Sequence, residues 1–133
     1  MTADLDVARA VNMTRELADD CARAALARFG DVQTRCKADG SLVTEVDTQT
    51  ERRIRSVLTQ AHPTHCIFGE EDGAGGVADS PYMWLIDPID GTNNFIAGMP
   101  LWGVSIGLFF KGEPLLGALA MPCLEQVFWA AEG

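Results

Sequence analysis

An α+β fold with a largely antiparallel sheet is predicted by three features of this 133-residue sequence. Apolar residues recur at spacings of three and four up to Ala61, the signature of two amphipathic helices. After Pro63 they fall into short runs and alternations bounded by glycine and proline, the signature of strands. Helices first and strands afterwards indicate α+β rather than a parallel α/β sheet. Composition agrees with one globular domain over residues 1–133: 47% of residues are apolar and 22% charged, with no repeat or low-complexity linker.

Val7, Ala10, Met13, Leu17, Cys21, Ala25 and Phe29 define the first helix, stopped at Gly30. Asp31 to Ser41 is polar, contains Gly40 and reads as a loop or hairpin. A second helix begins near Thr44, with Val46, Thr50, Ile54, Val57 and Ala61 on one face and Pro63 at its end. Cys66-Ile67-Phe68 is a short buried strand running into Gly69-Glu70-Glu71. Asp72 to Pro81, with Gly73, Gly75 and Gly76, reads as a mobile surface loop. Met83 to Ile86 is the next buried strand, broken by Asp87-Pro88. Gly103 to Lys111, Leu115 to Met121 and Gln126 to Ala131 complete the strands, with a turn at Lys111 to Pro114.

A net charge of −9 argues against nucleic acid or an anionic membrane as the main partner, because both demand clustered Lys and Arg. No basic-then-apolar leader is present, nor a run of roughly 18 apolar residues, so a cytoplasmic protein is the simplest expectation. Cys21, Cys36, Cys66 and Cys123 are scattered, without a C-x-x-C pair. His62 and His65 flank a proline with no partner group at zinc spacing. They read as surface or packing residues, and no zinc is assigned.

Charge distribution says more than its total. Between Ser56 and Phe110 there is no Lys or Arg, yet six carboxylates occur: Glu70, Glu71, Asp72, Asp79, Asp87 and Asp90. Acids beside apolar strands must face water, find distant partners or hold a cation. Glu70-Glu71 follows one strand and Asp87-Pro88-Ile89-Asp90-Gly91-Thr92 follows another, so carboxylates from two strand ends can converge as hard oxygen ligands. Pro88 forces a turn that lets Asp87, the Ile89 carbonyl and Asp90 point one way. Gly91 permits close backbone approach, and the Gly91 and Thr92 amides can receive an anion. Cations beside an anion nest describe a phosphate-ester site, in which Thr92, oriented by Asp47, could hold the attacking water. Simpler readings stand beside these. A capping box from Thr44 accounts for Asp47 without catalysis, although both roles can coexist. Glu70 and Glu71 also fit solvated loop acids, and Asp-Pro and Asp-Gly are common turn dipeptides.

The run Trp84 to Phe95, W-L-I-D-P-I-D-G-T-N-N-F, closely resembles the metal-binding signature of the inositol monophosphatase family, Mg²⁺-dependent and lithium-sensitive phosphomonoesterases. Lys37 with D-G-S-L-V-T-E-V-D (Asp39 to Asp47), Phe68-Gly69-Glu70-Glu71 and P-L-W-G-V-S-I-G (Pro100 to Gly107) match in order, so the similarity covers essentially the whole chain.

The resemblance implies the first half of an α-β-α-β-α sugar-phosphatase fold and two or three Mg²⁺ ions. Glu70, Asp87 and the Ile89 carbonyl would bind the first ion, Asp87 and Asp90 the second, and Glu70 a weaker third. Thr92 and Asp47 would activate water, Gly91 and Thr92 amides would hold phosphate, and Glu71 would be a supporting carboxylate of the catalytic set. The expected substrate is a small phosphorylated polyol such as an inositol monophosphate. Histidinol phosphate or a nucleotide 3′-phosphate is the alternative, although Asn93-Asn94-Phe95 is closer to the inositol monophosphatases. A homodimer is implied as well. Family members are roughly twice as long, and their second half contributes another metal-binding aspartate. The expectation is therefore an N-terminal domain without its C-terminal counterpart, either an active phosphatase completed by another chain or an inactive Mg²⁺-binding fragment.

Overall fold

The computed structural model describes residues 5–132. Helix α1 (Val7–Leu26) leads into a hairpin, β1 (Thr34–Cys36) and β2 (Leu42–Thr44), followed by helix α2 (Glu45–Ala61). Then come β3 (Cys66–Gly69), β4 (Gly73–Gly76), β5 (Tyr82–Asp90), the short helix α3 (Thr92–Ala97), β6 (Gly103–Phe110), β7 (Glu113–Met121) and β8 (Gln126–Ala131). Among the described residues β3 to β8 form one sheet in the order β4-β3-β5-β6-β7-β8. The β3–β5 pair is parallel and the other neighbours are antiparallel. The predicted α+β class with a largely antiparallel sheet is what forms.

Both long helices lie on one face of this sheet. Trp84 and Ile86 of β5, Val104, Ile106 and Leu108 of β6, and Leu116, Ala118 and Ala120 of β7 are cross-strand neighbours on that face. They pack against Ala10, Leu17, Ala18 and Cys21 of α1 and Ile54 and Leu58 of α2. Alternation explains why β5 is not buried on both sides, as its apolar run suggested: Met83 and Leu85 point to the opposite face and are only half-buried. The face of α2 also differs from expectation. Ala61 is exposed, while Glu51 and Leu58 are fully buried with Ile54.

Two backbone expectations are corrected. The glycine-rich segment after Asp72 contains a strand, β4, paired with β3 from Cys66↔Gly76 to Gly69↔Gly73. Two of its glycines act as spacers: a Cβ would meet the His65 carbonyl at 2.3 Å at Gly76 and the Arg55 guanidinium at 2.9 Å at Gly75. Second, Asp87-Pro88 does not end β5. The strand continues to Asp90 by way of an irregularity in which Asp87 pairs with Ser105 and Asp90 with Gly103, three steps against two. One extra residue in β5 makes a bulge, which accommodates the missing Pro88 N–H.

His62 and His65 form part of an aromatic stack beside β5. Their rings are 4.6 Å apart, and His65 lies 4.4 Å from Tyr82. The Trp84 Nε1–H donates to His65 Nδ1 at 3.0 Å, so this buried imidazole is neutral with its proton on Nε2. Burial, followed by the neighbouring His62, pushes the pKa of His65 down to about 4. The unfolded chain therefore takes up this proton first. Stability from His65 is full above pH 6.5 and is lost as pH falls from 6.5 towards 4. The Asp87 carboxyl, raised to about 7, titrates over the same window with the opposite sign. The measure is therefore the difference between wild type and His65→Asn in urea titrations, which should change by about 1–3 kcal/mol against the wild type as pH falls.

Candidate functional site

The parallel register of β3 and β5 creates the site. Gly69 lies opposite Ile86, so the next residues, Glu70 and Asp87, leave the same end of the sheet side by side, and the Glu70 N–H reaches the Ile86 carbonyl at 3.4 Å. The bulge then carries β5 through Ile89 and Asp90 into Gly91, which caps α3 in the left-handed region at φ 92°. Glu70, Glu71, Asp87, Ile89, Asp90, Gly91 and Thr92 all line one open cleft of about 810 Å³. The β1–β2 turn, including Lys37, Asp39 and Ser41, forms another part of its wall. The sequence-predicted residues thus converge, with Asp47 joining them from behind through Thr92.

Gly91 has two reasons to be glycine. Its φ is positive, and a Cβ would stand 3.0 Å from the Leu101 carbonyl. Gly91→Ala should cost about 1–3 kcal/mol in a urea melt, by forcing a side chain into left-handed backbone against a carbonyl.

Asp47 serves two partners with two oxygens. Its Oδ2 accepts the Thr44 N–H at 2.9 Å and the Thr44 hydroxyl at 2.6 Å, while the Thr44 Oγ1 accepts from the Val46 and Asp47 N–H groups. That is the capping box. Its Oδ1 accepts the Thr92 hydroxyl at 2.9 Å. Capping and contact with Thr92 coexist because each uses a different oxygen. The Thr92 Oγ1 also lies 3.0 Å from the Ile89 carbonyl, so two acceptors compete for one hydroxyl proton.

Asp87 is the unusual carboxylate. Its Oδ1 is buried without a hydrogen-bond partner. Burial first, then the negative charges of Glu70 and Asp90, push its carboxyl up to about 7. The cleft's lysine does not relieve it, because Lys37 Nζ bonds Glu71 Oε1 at 2.7 Å. That bond raises Lys37, whereas burial outweighs it at Glu71 and lifts the carboxyl above its usual range. Among the described residues, no three acidic, histidine or cysteine side chains already close into a coordination sphere. The residues nevertheless suit Mg²⁺, which takes one or two carboxylates, keeps several waters and would satisfy the orphaned Asp87 oxygen. Zinc lacks its usual His and Cys ligands here.

Two contributors escaped the sequence reading. Lys37 belongs to the motif around Asp39 to Asp47, but nothing in its spacing marks it as the partner of Glu71. Glu51 is completely buried under the β3–β4 turn. Its signal was an acid on the apolar face of α2, one turn after Asp47 and four residues before Arg55.

The sequence model of the inositol monophosphatase family matches residues 5–133. A fructose-1,6-bisphosphatase/inositol-1-monophosphatase of Aquifex aeolicus is 42% identical over 97 residues, 73% of this chain and 36% of that protein. A histidinol-phosphatase of Mycobacterium tuberculosis is 37% identical over 88% of this chain and 45% of its own length. The IMPase structure from Thermotoga maritima superposes with a TM-score of 0.86 at 29% identity, covering 94% of this chain and 49% of that one. The chain spans less than half the length of these relatives.

Proposed function

This chain belongs to the inositol monophosphatase family, and from that premise we propose that it carries the cation- and phosphate-binding half of a Mg²⁺-dependent phosphomonoesterase acting on a small phosphorylated polyol or sugar. The observation that carries the reading is the buried, unpartnered Asp87 Oδ1 beside Glu70 and Asp90, in a residue that lines the same cleft as Thr92. A cation there turns mutual repulsion into coordination.

In this reading Glu70, Asp87 and the Ile89 carbonyl would hold one Mg²⁺, Asp87 and Asp90 would hold a second, and Glu70 would assist a third. What Mg²⁺ supplies when bound is positive charge on the phosphoryl oxygens and a more acidic water. The amides of Gly91 and Thr92 orient the phosphate. Thr92 donates its hydroxyl proton to Asp47 and turns a lone pair towards the attacking water, fixing its approach. The water oxygen bonds to phosphorus as the ester P–O bond breaks; of the water's two protons one stays on the released phosphate and the other passes through solvent to the departing alcohol oxygen. Glu71, neutralised by Lys37, supports the turn that carries Glu70. No phosphoenzyme is formed. Lithium inhibition and a homodimer are part of the same proposal and rest on the family alone, and a cytoplasmic location is proposed with them; no described helix is long and apolar enough to cross a membrane.

The relatives include both an inositol-1-monophosphatase and a histidinol-phosphatase at comparable identity. The test is therefore Mg²⁺-dependent phosphate release from inositol monophosphate, histidinol phosphate and adenosine 3′,5′-bisphosphate. Turnover with one preferred substrate supports an active phosphatase and names its class. Mg²⁺ binding without turnover supports the second reading, a catalytically inactive cation-binding fragment, and absence of both defeats the proposal.

A further inference from the structure

One buried acid lies next to the site and has no part in the chemistry proposed above. Glu51 is completely inaccessible, on α2 between Thr50 and the core residue Ile54. Its Oε1 accepts the Glu71 N–H at 2.8 Å, and its Oε2 accepts the Asp72 N–H at 2.7 Å and Arg55 Nε at 3.2 Å. Arg55 also donates to the Gly73 carbonyl. Residues 71 to 73 are thus tied through their main chain to one turn of α2.

A buried carboxylate is costly, and a short hairpin turn does not require one. Glutamate is nevertheless the side chain that fits, because three donors converge on two acceptor oxygens. A glutamine would aim an NH₂ at one of these N–H groups. The neighbouring backbone is shaped around the same carboxylate: a Cβ at Gly69 would lie 2.4 Å from both Glu51 Cδ and Oε1. The turn fixed in this way begins with Glu70, the acid that the parallel β3–β5 register sets beside Asp87.

We propose that Glu51 is a positioning residue that locks the β3–β4 turn and thereby holds Glu70 against Asp87 for cation binding. This rests on the metal-dependent reading above. It acts through the main chain of Glu71 and Asp72, with Arg55 neutralising the buried charge, and does not itself touch the cation.

The test is Mn²⁺ titration, followed by the loss of the free-ion electron paramagnetic resonance signal, on the wild-type chain, Glu51→Gln, Glu70→Gln and the double variant. Glu51→Gln should weaken Mn²⁺ binding about 10- to 100-fold, as the loss of a supporting contact does at other metal sites. In the Glu70→Gln background the same substitution should add almost nothing, because its effect travels through Glu70. Gly69→Ala should reproduce the loss with Glu51 intact. Without metal, hydrogen exchange at the Glu71 and Asp72 amides should accelerate in Glu51→Gln. Wild-type Mn²⁺ affinity in Glu51→Gln, equal losses in both backgrounds, or unchanged exchange overturns this role alone. A wild-type chain that binds no Mn²⁺ overturns the metal reading and this role together.

Discussion

Asp87→Asn is expected to abolish Mg²⁺-dependent phosphate release and to weaken Mg²⁺ binding by more than about 100-fold, exceeding the effect of losing a merely supporting contact. The substitution is nearly isosteric and removes one negative charge at the point where two cations are proposed to meet. It should have the opposite effect on the fold. In EDTA the wild-type chain buries an unpartnered carboxylate oxygen against Glu70 and Asp90, so the amide variant should be at least as stable and gain about 1 kcal/mol in a urea melt. Calorimetric Mg²⁺ titration and denaturation on one preparation separate the two effects. Wild-type cation affinity in Asp87→Asn would remove the basis of the metal assignment.

Thr92→Ala should behave differently, with turnover falling about 10²- to 10⁴-fold while Mg²⁺ affinity stays close to wild type. The hydroxyl is held between Asp47 and the Ile89 carbonyl, and its removal leaves every proposed cation ligand in place. Single-turnover kinetics locate the loss in the chemical step. Asp47→Ala combines the same kinetic defect with a structural one, because Asp47 also completes the α2 capping box. About 1–2 kcal/mol of stability should go with the cap. A large fall in Mg²⁺ affinity in Thr92→Ala would instead make this residue part of the cation site.

Local signals reached most of these residues. The two long helices, the strands β3 and β5 to β8 and the capping box follow from periodicity and from short-range side-chain-to-backbone bonds, which the sequence states directly. The acids of the cleft could be named because a segment without Lys or Arg concentrates them at two strand ends. What could not be read are the long-range pairings. That β3 runs parallel to β5 is a tertiary fact, although it decides that Glu70 stands beside Asp87. Lys37 and Glu71 are separated by the whole of α2, and no spacing announces their ion pair. The glycines of β4 resemble loop glycines until the strand beside them is known, because small size serves close approach as well as flexibility. Glu51 was hidden for a similar reason: an acid within an apolar stripe looks like an interruption until its backbone donors, twenty residues away, are seen.

The bulge in β5 has a consequence for insertions and deletions. Between the Asp87 and Asp90 pairings two residues of β5, Pro88 and Ile89, stand opposite one of β6, Val104. Deleting Pro88 would restore one-to-one pairing and remove the residue that cannot donate to the ladder, a change that favours the sheet. It would also draw Gly91 and Thr92 back by about 3.3 Å, more than the 2.9 Å contact between Thr92 and Asp47 can absorb. The more regular sheet would be the poorer site. Length between these two aspartates is therefore constrained more tightly than the identity of the residues that fill it, and a shortened variant should fold well while losing its reactive geometry.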